Sequence, residues 1–156
     1  MDGPEQQKSY LYCNVYEASA CFGVAGGDVM TMRVPMDFVT YDLELVGGAK
    51  VLIYSGYNPS RVPAPDTVST VKIYSVPSGD YEYVMAADGK HVITYTPRDN
   101  EAPLLQIVVD QIGASKKRLV ADFLSRFRPC KSDADGVACD KDQVLFKGVA
   151  EEVFGL

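Results

Sequence analysis

The chain has 156 residues, of which 47% are apolar and 23% charged, and its formal net charge is −6. That length suits one domain with a sizeable core, and the apolar fraction excludes a disordered chain. The acidic balance argues against nucleic-acid or anionic-membrane binding, which needs a basic face to displace counterions, and no apolar run approaches the ~20 residues of a spanning helix.

Residues 1–8 are polar and are expected to form a mobile arm ahead of a single domain over 9–156. Ser9 to Tyr16, rich in tyrosine and apolar residues, predicts a first strand. Cys13 and Cys21 lie near one end of the chain, Cys130 and Cys139 near the other. Each pair brackets a segment short enough for a disulfide to close. Two local disulfides, Cys13–Cys21 and Cys130–Cys139, would imply an oxidising compartment, periplasmic or secreted, and the prior removal of a leader. On the chain-entropy model each loop would contribute about 2–3 kcal/mol. Two alternatives stay open. The cysteines can be reduced and buried as small side chains, or a link can join the two ends if these meet on adjacent strands.

Gly23 to Gly27 is glycine-rich but lacks the lysine of a phosphate-binding loop, and so reads as a turn. Val29 to Val34 predicts the next strand. Val39, Tyr41, Leu43 and Leu45 then alternate with Thr40, Asp42 and Glu44, the period of a half-buried strand. Gly47-Gly48 before Val51–Tyr54 is a two-residue hairpin signal, and Asp88-Gly89 repeats it between Tyr81–Ala86 and His91–Thr96. Between these units, Pro59, Pro63 and Pro65 remove ladder donors and favour an exposed irregular loop. Leu104 to Ile112 is a nearly continuous apolar run, the signature of a central strand.

Ser115 offers an N-cap for a helix over about 116–127, with Leu119, Val120, Phe123, Leu124 and Phe127 on one stripe and Pro129 ending it. The 130–139 segment reads as a polar disulfide loop, and Gln143 to Val149 as a short edge strand. The fold expectation is α+β: one mainly antiparallel, twisted sheet with the late helix packed on one face.

Chemistry is sparse. His91 is the one histidine, and no serine occupies the Gly-x-Ser-x-Gly context of a nucleophile elbow. Paired cysteines leave no thiol nucleophile and, with a single histidine, too few ligands for zinc. Asp133, Asp135 and Gly136 resemble the opening of a calcium loop, with Asp140 and Asp142 nearby, but the third acidic position is missing and Cys139 interrupts the spacing. No catalytic residue, metal or cofactor is therefore expected. The competing expectation is an exported enzyme or small-ligand domain using surface carboxylates or this calcium loop. The ten tyrosines, without any tryptophan, suit both strand packing and protein interfaces.

Asp37 to Tyr41 and Val51 to Pro59 resemble stretches of small exported proteobacterial proteins, among which are periplasmic immunity proteins against type VI secretion effectors. The strand-then-helix order is similar to the Mog1/PsbP-like architecture. Ser78-Gly79-Asp80-Tyr81 and Ser55-Gly56-Tyr57 resemble the Ser-Gly-x-x-Tyr loop of periplasmic lysozyme inhibitors, with the tyrosine one or two residues early. The resemblance implies a non-enzymatic binder that occludes a secreted, basic, cell-wall-degrading effector. Tyr57, Arg61, Ser78, Gly79 and Tyr81 are its expected contact residues, on loops 57–65 and 76–81.

Overall fold

The computed structural model describes residues 13–17, 19–35, 37–57, 68–86, 88–99, 101–110 and 112–156. The 1–8 arm, the start of the first expected strand and the proline-rich loop beyond Tyr57, including Arg61, lie outside the described residues.

The strands form two antiparallel sheets where one was expected. The larger has the order β3-β4-β5-β9-β8-β7-β6. Its strands are β3 (Val29–Arg33), β4 (Val39–Glu44), β5 (Lys50–Gly56), β6 (Val68–Val76), β7 (Gly79–Ala86), β8 (His91–Pro97) and β9 (Leu104–Val109). The smaller has the order β1-β2-β10-β11, from β1 (Val15–Glu17), β2 (Ala20–Phe22), β10 (Arg128–Asp133) and β11 (Gly136–Cys139). Both hairpins form where the glycines mark them, but the first has a three-residue loop, Val46 to Gly48, where a two-residue one was expected, since the Leu45 N–H donates to the Ala49 carbonyl at 2.8 Å. Gly47 and Gly48 have φ of 104° and 96°, and Gly89 has φ 88°, values open to residues without a Cβ. As its apolar run predicts, β9 is the central strand.

Period two places Tyr41, Leu43, Val51, Ile53, Leu105, Ile107, Val109, Ile93, Tyr95, Tyr81 and Tyr83 on one buried face of the large sheet. Two short helices and the small sheet cover that face. The first helix, α1 (Lys117–Leu124), follows a 3-10 turn at Ala114–Lys116 and buries Val120, Ala121, Phe123 and Leu124. Its ends differ from expectation. Ser115 lies within the 3-10 turn and makes no capping bond. The helix stops at Leu124, where the Ser125 hydroxyl donates to the carbonyl of Asp122, and Pro129 belongs to β10. The residues from Arg128 onward are drawn into the ladder of the small sheet.

Gln143–Val149 is not an edge strand. It leads through a turn into a second helix, α2 (Lys147–Glu152). Leu145, Phe146, Val149 and Ala150 are all buried at i, i+1, i+4 and i+5, a helical spacing that a short window hides. The 130–139 segment is likewise a β-hairpin, with Cys130 facing Cys139 and Asp133 facing Gly136. Phe22 joins the layers. Its ring stacks on Phe127 at 5.4 Å and meets Tyr41 and Phe123 edge-on at 5.3 and 6.2 Å. Both local disulfides are present, Cys13–Cys21 and Cys130–Cys139. No described helix is long and apolar enough to cross a membrane.

Candidate functional site

Antiparallel register brings the ends of several strands to one rim of the large sheet. Gly56 faces Leu104, Tyr95 faces Leu105, Gly79 faces Pro97 and Val76 faces Gly79. Tyr57, the Pro77-Ser78 turn and the β8–β9 connection therefore share that rim. Two of the expected contact residues, far apart in sequence, thus become neighbours of one connecting segment. Tyr57 is 57% exposed, and its hydroxyl donates to the carbonyl of Glu101 at 2.8 Å.

The same connection braces the second loop. The Arg98 backbone N–H donates to the Ser78 carbonyl at 2.8 Å. The Arg98 guanidinium donates to the carbonyls of Pro77 at 3.0 Å and Val76 at 2.9 Å. Tyr95 Oη lies 3.1 Å from the Ser78 carbonyl and 2.8 Å from Ser78 Oγ. Pro77 presets φ at the first corner of the turn. Each backbone acceptor of this two-residue turn is therefore held by a side chain rooted in β8 or just beyond it. Arg98 and Tyr95 were not singled out from sequence, because their role depends on strand register.

Gly79 and Tyr81 occupy different settings. A Cβ on Gly79 would lie 2.3 Å from the Thr96 carbonyl oxygen and 3.0 Å from Pro97 Cα, so close strand packing requires the glycine. Tyr81, expected as a contact residue, is 2% exposed and belongs to the core. Its ring stacks on Tyr74 at 4.7 Å and meets Phe146 edge-on at 5.0 Å, and its hydroxyl accepts from the Val149 backbone N–H at 3.3 Å. Burial pushes its pKa up. The alternation that exposes Asp80 turns Tyr81 inward.

Beside the Ser78 turn a cleft of about 610 Å3 opens toward the disulfide hairpin. Ser78, Tyr95, Pro97, Arg98, Cys130, Lys131, Cys139 and Asp140 line it, together with the turn around Pro77. Its walls carry both signs of charge and a mixed polar and apolar surface.

No family model, curated protein or solved structure matches this chain.

The titratable groups sit as follows. The Ser78 hydroxyl is partnered by the Tyr95 phenol, whose pKa burial raises. His91 lies elsewhere, 5% exposed under Phe154, with Nδ1 2.7 Å from Tyr83 Oη. Burial lowers the pKa of His91, with Lys117 adding to the effect, and burial pushes Tyr83 up to about 12. At neutral pH both members of that pair are uncharged. Of the aspartates weighed for calcium, Asp135 sits at the hairpin turn. Asp140 Oδ1 accepts the Asp142 backbone N–H at 3.0 Å, a local turn bond.

Proposed function

We propose that this protein is an extracytoplasmic immunity or inhibitor protein. It would present the Pro77-Ser78 turn and exposed Tyr57 to the active site of a secreted, basic, cell-wall-degrading effector. The observation that carries this reading is the bracing of the Ser78 turn by Arg98 and Tyr95. A loop that inserts into a cleft loses little entropy on binding when its conformation is already held, so bracing favours tight occlusion. A solvent-facing tyrosine anchored through its hydroxyl is a suitable second contact, since aromatic anchors dominate interface energetics. The acidic net charge favours a basic partner by steering encounter, and two disulfides suit an oxidising compartment.

The test is calorimetric titration against the product of whichever neighbouring gene co-purifies with this protein, with wild type, Ser78→Trp and Tyr57→Ala. The expected result is sub-micromolar wild-type binding, weakened at least about tenfold in each variant with Tm nearly unchanged. Full affinity in both variants would remove this rim from consideration. Loss of binding by an Asp135→Ala variant, with calcium bound by the wild type, would favour the competing ligand-binding reading.

A further inference from the structure

The two disulfides expected at opposite ends of the chain are in contact. Because β2 and β10 are adjacent, the sulfur atoms of Cys21, Cys130 and Cys139 all lie within 4.8 Å of one another, and Cys13 is bonded to Cys21. Cys13, Cys21 and Cys130 form a buried cluster separate from the main core, with half-buried Cys139 packed against it. We propose that in the reduced chain these four cysteines constitute a single thiolate metal site for Zn2+, and that the two disulfides are the oxidised form of the same site.

Sheet pairing, not the sulfur bonds, holds the positions. Cys21 faces Arg128 across β2–β10, and the Cys130 N–H donates to the Ser19 carbonyl at 2.9 Å. Cys139 is placed opposite Cys130 by the β10–β11 register. Cys13 is held by its neighbour: the Asn14 N–H donates to the Phe22 carbonyl at 3.1 Å, and the Asn14 side chain both donates to and accepts from Val24. Breaking the S–S bonds leaves all of these backbone contacts in place.

Tetrahedral zinc with Zn–S near 2.3 Å requires sulfurs about 3.8 Å apart. Reduction lets each bonded pair separate. The contacts of Cys21 with Cys130 and Cys139, within 4.8 Å, need to close by only about 1 Å, whereas Cys13, bonded to Cys21 outside that trio, has to turn in further once its disulfide is broken. Four sulfur donors without an oxygen select a soft cation over calcium or magnesium. Access also exists: Cys130 and Cys139 line the cleft beside Ser78, and Cys139 is half-buried. In the switch each disulfide takes two electrons and two protons from a dithiol, which becomes a disulfide itself. Zn2+ then displaces the four thiol protons. This proposal concerns the reduced chain and does not rest on the inhibitor function.

Full-length protein, reduced with a phosphine under argon, is titrated with Co2+ and followed by visible absorption and far-UV circular dichroism. The expected result is one equivalent bound with the intense d–d bands of tetrahedral thiolate cobalt, displaced by one equivalent of Zn2+. The oxidised protein should bind none. Cys139→Ser should weaken cobalt binding at least about tenfold, and a Cys13→Ala, Cys130→Ala double variant should lose the tetrahedral bands. The far-UV spectrum of the reduced, metal-free protein should stay native, because sheet pairing holds the cysteines in place, and its collapse to an unfolded spectrum would overturn the proposal. The proposal is overturned by weak octahedral bands, by two equivalents bound, by equal binding in the double variant, or by no binding.

Discussion

The buried His91–Tyr83 pair makes stability depend on pH in a direction that the structure sets. His91 has a folded-state pKa below its ordinary value, chiefly because burial disfavours the imidazolium, with Lys117 adding repulsion. Unfolded, the imidazole titrates near 6.5. Above that pH both states hold it neutral and the contact with Tyr83 is fully present. As pH falls below 6.5 the unfolded chain takes up a proton that the folded chain resists, so stability falls. Between pH 7.5 and 5.5 the loss is at most RT ln 10, about 1.4 kcal/mol, the limit reached when the folded imidazole stays neutral throughout. With an unfolding entropy of about 2.1 cal/mol/K per residue, that is a Tm decrease of about 4 °C. Carboxylates elsewhere also titrate here, so the informative quantity is the difference between wild type and His91→Gln, whose amide stays neutral and can still face the Tyr83 hydroxyl. Urea unfolding at the two pH values should show the wild type losing more than the variant, by up to about 1.4 kcal/mol. Equal losses in both chains would refute the assignment of a buried, neutral histidine.

Phe146 is fully buried and meets Tyr81, Tyr95 and Phe127 edge-on at 5.0, 6.2 and 5.1 Å. Phe146→Ala should cost about 3–5 kcal/mol by denaturant unfolding, and a loss under 1 kcal/mol would contradict that placement. Gly79→Ala drives a Cβ into the Thr96 carbonyl and should destabilise by about 1–3 kcal/mol, whereas Gly26→Ala meets no atom within 4 Å and should stay within about 0.5 kcal/mol, both measured by Tm. Arg98→Ala removes the two guanidinium bonds that hold the Pro77-Ser78 turn. Amide exchange at Ser78 and Gly79 should accelerate about tenfold while the β9 amides are unchanged.

What the sequence alone determined was local in origin. Period-two alternation set β4, and a nearly continuous apolar run set β9. Gly47-Gly48 and Asp88-Gly89 marked two hairpins, and cysteine spacing favoured the two disulfides that the structure contains. The second helix escaped notice because Leu145, Phe146, Val149 and Ala150 span too few residues for a helical period to stand apart from an apolar strand. The same limit applied to the 130–139 hairpin, where polar side chains concealed a cross-strand pairing. Tyr81 shows the difference at a single residue. The Ser-Gly-Asp-Tyr string marks a turn, but only the sheet decides that its tyrosine faces the core. Tertiary structure alone brought Tyr57 and Ser78 to one rim, placed Arg98 and Tyr95 behind the turn, and put Cys21 against Cys130. Those juxtapositions follow from strand order and register, which depend on pairings between segments up to about a hundred residues apart and have no signature within either segment.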